Sequence, residues 1–328
     1  MPHMRPRNSP KDARRVTQSF LLKKSGAWQP RGLWEDFMVP FVGIASGLGA
    51  GDAGCGEAPL FLHQHSDLLK EIEHEWVDIF FADDFPEDPY ERCSTLFQAI
   101  AKKVYQVHKS KGYLISIGGD HSCAIGTWSG VAEAIRPSGD LGLLWIDAHM
   151  DSHTPETSES GNIHGMPLAA LLGYGDQRLT QILTNRPKLL PQNVALIGVR
   201  SYESGEAALL QRLGVRIYFM EEVKARGIGE VMKEAMEIVS RNTAGYGVSF
   251  DLDSLDPRLS PGVGTPVPGG LDPEELLASF SCFYEHPPIA FEAVEYNLAL
   301  DRDLITAKLL VRILERASDF CPSATLLY

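Results

Sequence analysis

The stretch Leu141-Gly-Leu-Leu-Trp-Ile-Asp147 constrains this chain most, because it is apolar until it ends abruptly in a carboxylate. A strand that is apolar along its whole length must be covered on both faces, as in a parallel sheet; a half-solvated strand would alternate. Residues 38–44, 76–81, 113–117, 194–199, 215–219, 245–251 and 289–294 read as further buried strands. The segments between them are long enough for the helical crossovers that parallel pairing requires. One of these, residues 90–110, places Leu96, Ile100, Val104 and Val107 at helical spacing. The expected fold is α/β, a three-layer αβα sandwich with a mainly parallel central sheet. At 328 residues and 44% hydrophobic content, one large core is feasible.

The first residues differ from the rest. Arg5, Arg7, Lys11, Arg14, Arg15, Lys23 and Lys24 face a single acid, Asp12, with no apolar signal core. Residues 1–33 are therefore expected to be a disordered basic extension, and residues 34–328 a single catalytic domain. The net charge of −13 argues against nucleic acid or an anionic membrane as partner. No stretch is apolar enough to span a bilayer. Five scattered cysteines form no zinc-binding pattern, which suits reduced, packed thiols and a cytoplasmic location.

Parallel sheets place ligands beyond the carboxyl ends of their strands, and three strand ends here are unusually polar. The first is Ser116-Ile-Gly-Gly-Asp-His-Ser122. Its glycines permit a sharp turn, and His121 follows directly. On its own that histidine is a weak signal, because a histidine after a turn is more often a surface or satisfied core residue. The second is Trp145-Ile-Asp-Ala-His-Met-Asp151. If this segment stays extended, Asp147, His149 and Asp151 share one face. The third, Val248-Ser-Phe-Asp-Leu-Asp-Ser-Leu-Asp-Pro257, repeats the pattern with Asp251 and Asp253. Asp256, just before Pro257, reads as a turn residue rather than a ligand. Carboxylates converging at the edge of a core are costly unless a cation lies among them. Four carboxylates and two imidazoles are too hard a set for structural zinc but suit manganese or a similar ion. Six ligands suit two ions, a pair that activates water for hydrolysis.

With those motifs in order, the sequence resembles the ureohydrolase family of arginases, agmatinases and relatives, over roughly residues 38–318. The resemblance implies a parallel αβα sandwich, two Mn²⁺ ions (Co²⁺ or Ni²⁺ as substitutes) on His121, Asp147, His149, Asp151, Asp251 and Asp253, and cleavage of a small guanidino substrate with release of urea. It also implies a homo-oligomer, a trimer or hexamer. Ser160-Gly-Asn-Ile-His-Gly165 looks arginase-like. By resemblance, Ser160 and Asn162 hold an amino acid carboxylate, and His164 serves as proton donor or shuttle. Thr265 then lies near the substrate, Glu295 binds the guanidinium, and Asp151 handles a proton as well as a metal.

Two departures bear on the substrate. His153 stands where arginases usually carry asparagine, and Ser201 and Glu203 replace aspartates, Glu203 keeping the charge that meets an α-amino group. His153 and Glu203 are expected to select the amino acid end. The expected reaction is hydrolysis of L-arginine to L-ornithine and urea. Agmatine, guanidinobutyrate or a related guanidino compound is the alternative. A zinc deacetylase would need a tandem histidine pair that is absent from the sequence. A non-catalytic relative would have lost ligands that are all present here.

Overall fold

The computed structural model describes residues 38–82 and 87–322. The basic extension expected over residues 1–33 lies outside the described residues. Eight strands form one sheet: β1 (Val39–Ala45), β2 (His74–Phe81), β3 (Ile115–Ile117), β4 (Leu141–Ile146), β5 (Leu189–Val199), β6 (Arg216–Phe219), β7 (Gly245–Asp251) and β8 (Ala290–Val294). Their order is β2-β1-β3-β8-β7-β4-β5-β6, and every pairing is parallel.

The helices are α1 (Ala58–Gln64), α2 (Pro89–Lys111), α3 (Ala124–Ile135), α4 (Pro167–Leu171), α5 (Gln177–Thr180), α6 (Ser204–Leu213), α7 (Met220–Arg226), α8 (Ile228–Ser240), α9 (Pro273–Ser279) and α10 (Ile305–Ser318). Residues of α1, α7, α8, α9 and α10 pack into one apolar layer, and those of α2 to α6 into the other. The run in β4 shows why its sequence is uniformly apolar. Leu144 and Ile146 enter the first layer, while Leu141, Leu143 and Trp145 enter the second. The expected αβα sandwich with a parallel sheet is what the chain forms.

Helix α2 illustrates the local rules. Asp88 accepts a bond from Glu91 N at 2.9 Å, Pro89 opens the helix, and Gly112 ends it in left-handed backbone. Its buried stripe includes Leu96, Ile100, Val104 and Val107. Against α2 lies α3, whose Gly130 meets the Ala101 carbonyl so closely that an added Cβ would sit 2.6 Å from it.

The sheet order decides where the site lies. The motif-bearing strands β3, β7 and β4, together with β8, are the four central strands. Their carboxyl ends therefore open side by side. Among the described residues, no helix is long and apolar enough to cross a membrane.

Candidate metal centre

Each ligand is placed by a short turn at a strand end. After β3 the chain passes through Gly118 and Gly119, and Asp120 N donates to Ser46 O at 3.1 Å. An added Cβ on Gly119 would lie 1.9 Å from that same oxygen, so only glycine admits the approach. After β4 and β7 the backbone does not stay extended, contrary to the sequence expectation. Asp147 accepts from His149 N at 2.7 Å, and Asp251 accepts from Asp253 N at 2.7 Å. Asp120 accepts from Ser122 N at 2.9 Å in the same way. These are Asx turns, in which the carboxylate folds its own chain back. Side chains two apart converge because the turn curls them together, not because a pleat aligns them. Asp151 completes its segment in left-handed backbone (φ 47°), as does Glu295 after β8 (φ 66°). Such backbone is unusual outside glycine and concentrates at functional sites.

All six predicted ligands meet. His121 Nδ1 lies 3.2 Å from Asp147 Oδ2, 3.0 Å from Asp151 Oδ2 and 3.0 Å from Asp251 Oδ2. His149 Nδ1 lies 3.5 Å from Asp147 Oδ1 and 3.1 Å from Asp253 Oδ2. Two donor triads result, His121–Asp147–Asp251 and Asp147–His149–Asp253, with Asp147 shared between them through its two oxygens.

Hydrogen bonding fixes the ring of His121. Ser249 Oγ donates to Glu292 Oε2 at 2.8 Å, so it can only accept from His121 Nε2 at 3.0 Å. With Nε2 donating, Nδ1 is the nitrogen turned toward the carboxylates and the one that can ligate once it gives up its proton. That atom is buried and lacks a hydrogen-bond partner, though three carboxylate oxygens surround it. A cation answers this arrangement, and the residues fit a pair of divalent ions. Trp145 stacks on the His121 ring at 4.1 Å, and its Nε1 donates to Asp147 Oδ2 at 2.8 Å. Trp128 Nε1 donates to Glu292 Oε2 at 2.8 Å, so this fully buried carboxylate backs His121 through Ser249. Asp120, Ser249 and Glu292 sit inside or beside the sequence motifs, yet spacing alone assigned them no role.

Without ions, protons must offset the clustered charge. Burial opposes a charge on His121, yet Asp147, Asp151 and Asp251 hold its pKa well above the usual imidazole value. Burial likewise opposes a charge on His149, but Asp253 and Asp147 raise its pKa far above the usual imidazole value. Burial, then the Asp147 charge, pushes Asp151 up to about 6. Ligation requires neutral imidazoles, so ions must displace these protons. Adding divalent metal to the metal-free protein at pH 7 in weak buffer should release protons, from the two imidazoles and from Asp251, whose burial holds its carboxyl well above the usual carboxylate range. A pH-indicator titration measures this, and metal affinity should rise with pH. An unchanged pH with ions bound would show that the imidazoles enter as neutral groups.

The centre opens into a cavity of about 350 Å³ lined by His149, Asp151, His153, Ser160, Asn162 and His164, with Ser201, Glu203, Glu206 and Thr265. Glu295 Oε1 accepts from His121 N at 2.8 Å and lies 3.3 Å from His164 Nδ1. Burial disfavours a charged His164, but Glu295 more than compensates and raises its pKa to about 9. Thr265 Oγ1 donates to Asp253 Oδ2 at 2.9 Å. Glu295, Thr265, His164 and Asn162 also line a smaller cavity of about 160 Å³. Asp256 pairs with Arg258 and accepts from Gly269 N, so it is the turn residue expected. Cys55, Cys93 and Cys123 are packed in the interior.

A parallel αβα sheet whose central strand ends hold two adjoining His/Asp triads defines a hydrolase built on a binuclear metal site. The arginase family profile matches residues 38–318, and the chain belongs to this family, the ureohydrolases. It is 38% identical over 291 residues to an arginase of Bacillus caldovelox, covering 84% of this chain and 96% of the relative. The crystal structure of arginase from Bacillus subtilis superposes with a TM-score of 0.78 at 34% identity, covering 86% of this chain and 98% of that one. An Entamoeba histolytica arginase, solved in complex with L-ornithine, superposes with a TM-score of 0.77 at 30% identity over 86% of this chain and 98% of its own.

Proposed function

We propose that this protein hydrolyses L-arginine to L-ornithine and urea with two Mn²⁺ ions in the centre. The observation that carries the substrate is the charge of the cavity. Glu159, Glu203 and Asp151 line it, and no lysine or arginine does; Glu206 lines it too, but burial pushes its carboxyl up to about 8. Such a wall favours a guanidino compound with a second cationic group and disfavours 4-guanidinobutyrate, whose far end is a carboxylate. The Ser160-Gly-Asn162 loop supplies neutral donors suited to an amino acid carboxylate, which favours arginine over agmatine. Similarity to arginases, one of them bound to L-ornithine, supports the same reading.

Divalent ions bound here would supply an activated water as nucleophile and offset charge developing on the guanidino carbon's substituents. Glu295 pairs with the guanidinium, and its Oε1 is already oriented by His121 N. Asp151 accepts the proton that the added oxygen still carries as that oxygen becomes the carbonyl of urea. As the new C–O bond forms and the C–N bond to the side-chain amine breaks, His164 delivers a proton to that amine. Its raised pKa keeps it protonated at neutral pH, as a donor requires. Glu203 receives the distal ammonium.

The test is urea release by manganese-loaded protein from arginine, agmatine and 4-guanidinobutyrate, assayed side by side. Arginine should be preferred. Preference for agmatine would overturn the substrate, and no urea from any of the three would overturn the activity.

A further inference from the structure

We infer that His153 is a positioning residue that clamps Glu203 over the cavity, rather than a group that itself meets the substrate carboxylate. Both of its ring nitrogens are occupied. Nε2 donates to Glu203 Oε2 at 2.8 Å, and Nδ1 pairs with Thr157 Oγ1 at 3.1 Å. Thr157 Oγ1 in turn accepts from Thr154 N at 2.9 Å and donates to Thr154 O at 3.3 Å, so the threonine is itself held in place. Both nitrogens are thus engaged, with Nε2 committed to Glu203. Nothing on the ring is left over for a carboxylate.

The frame around the pair fixes its spacing. His153 is nearly buried, whereas the Glu203 side chain is 66% exposed. His153 N donates to Gly165 O at 2.9 Å, tying it to the loop that carries His164. Glu206, buried beneath both, accepts from Glu203 N at 3.0 Å through one oxygen and from Ser152 N at 3.4 Å through the other. The start of α6 and the segment bearing His153 are thus bolted to one carboxylate. An exposed glutamate has several rotamers, and a longer arm than aspartate needs more ordering when it binds. A side chain ordered beforehand spares that cost at binding. Here His153 does the ordering.

The clamp rests on the reading that a distal ammonium docks on Glu203. His153→Phe keeps the ring and removes both nitrogens. It should raise KM for arginine about three- to tenfold, the worth of one pre-ordered side chain, while kcat changes far less. Glu203→Gln should raise KM at least as much, and the double variant should be no worse than Glu203→Gln alone. His153→Gln retains a donor to Glu203 and should restore most of the loss. KM for 4-guanidinobutyrate, which lacks an amine, should hardly move. Effects that multiply in the double variant, or an equal rise for both substrates, would overturn the clamp. Should the parent release no urea from any compound, the arginine reading fails, and calorimetric binding of L-ornithine decides the clamp. Weaker binding by His153→Phe supports it; equal binding, or none by either protein, overturns it.

Discussion

Asp147→Asn is expected to leave fewer than two ions per chain and to cut urea release about a hundredfold or more, since loss of a mere outer-shell partner already costs 10–100-fold. Asp147 is the only residue common to the two donor triads. Its Oδ2 faces His121 Nδ1 at 3.2 Å, and its Oδ1 faces His149 Nδ1 at 3.5 Å. Asparagine keeps the shape but offers one neutral oxygen, and its NH₂ points donors at a cation. The fold should survive, because the metal-free cluster is dominated by like charge and losing one carboxylate relieves it. Metal content by elemental analysis, urea release and circular dichroism on the same sample test this. Two ions retained with near-normal turnover would exclude this cluster as the catalytic centre.

Glu295→Gln should act differently, leaving both ions in place while removing the guanidinium partner. Glu295 belongs to neither triad, yet its carboxylate touches the backbone of His121 and the ring of His164. Glutamine preserves the size and one acceptor but leaves the guanidinium unpaired in a buried site. Breaking one partner of such a pair costs about 3–5 kcal/mol, which corresponds to roughly 10²- to 10⁴-fold in kcat/KM. The two variants thus separate metal loading from substrate orientation. Equal metal content with kcat/KM reduced less than tenfold would remove Glu295 from the guanidinium site.

Much of this is legible in the chain before it folds. The eight strands, the helix after residue 89 and the meeting of six ligands all follow from apolar runs that end in paired carboxylates. That signal is strong because a carboxylate at the end of a covered strand loses its water, and only a cation or a proton offsets the cost. The route to convergence was not legible. Period-two spacing suggested a pleat, whereas Asx turns at Asp147 and Asp251 curl the chain instead. Local backbone competition of this kind leaves the same spacing as a strand does. Glu292 and Ser249 also went unassigned, since their link to His121 runs across neighbouring strands.

His153 marks the boundary most clearly. Its position in the chain identified it as a residue bearing on the substrate end, and it does line that cavity. What its nitrogens do depends on Thr157 and Glu203, the latter fifty residues away on the cap of another helix. Sequence by itself determined the sheet, the gathering of histidines and aspartates at its strand ends and the class of chemistry, because burial and charge are properties of residue type and local pattern. Tertiary structure alone decided which nitrogen of His121 faces the carboxylates, which carboxylate adjoins both imidazoles and which groups are already satisfied. Hydrogen bonds depend on direction and distance between segments far apart in the chain, and only the folded sheet brings those segments together.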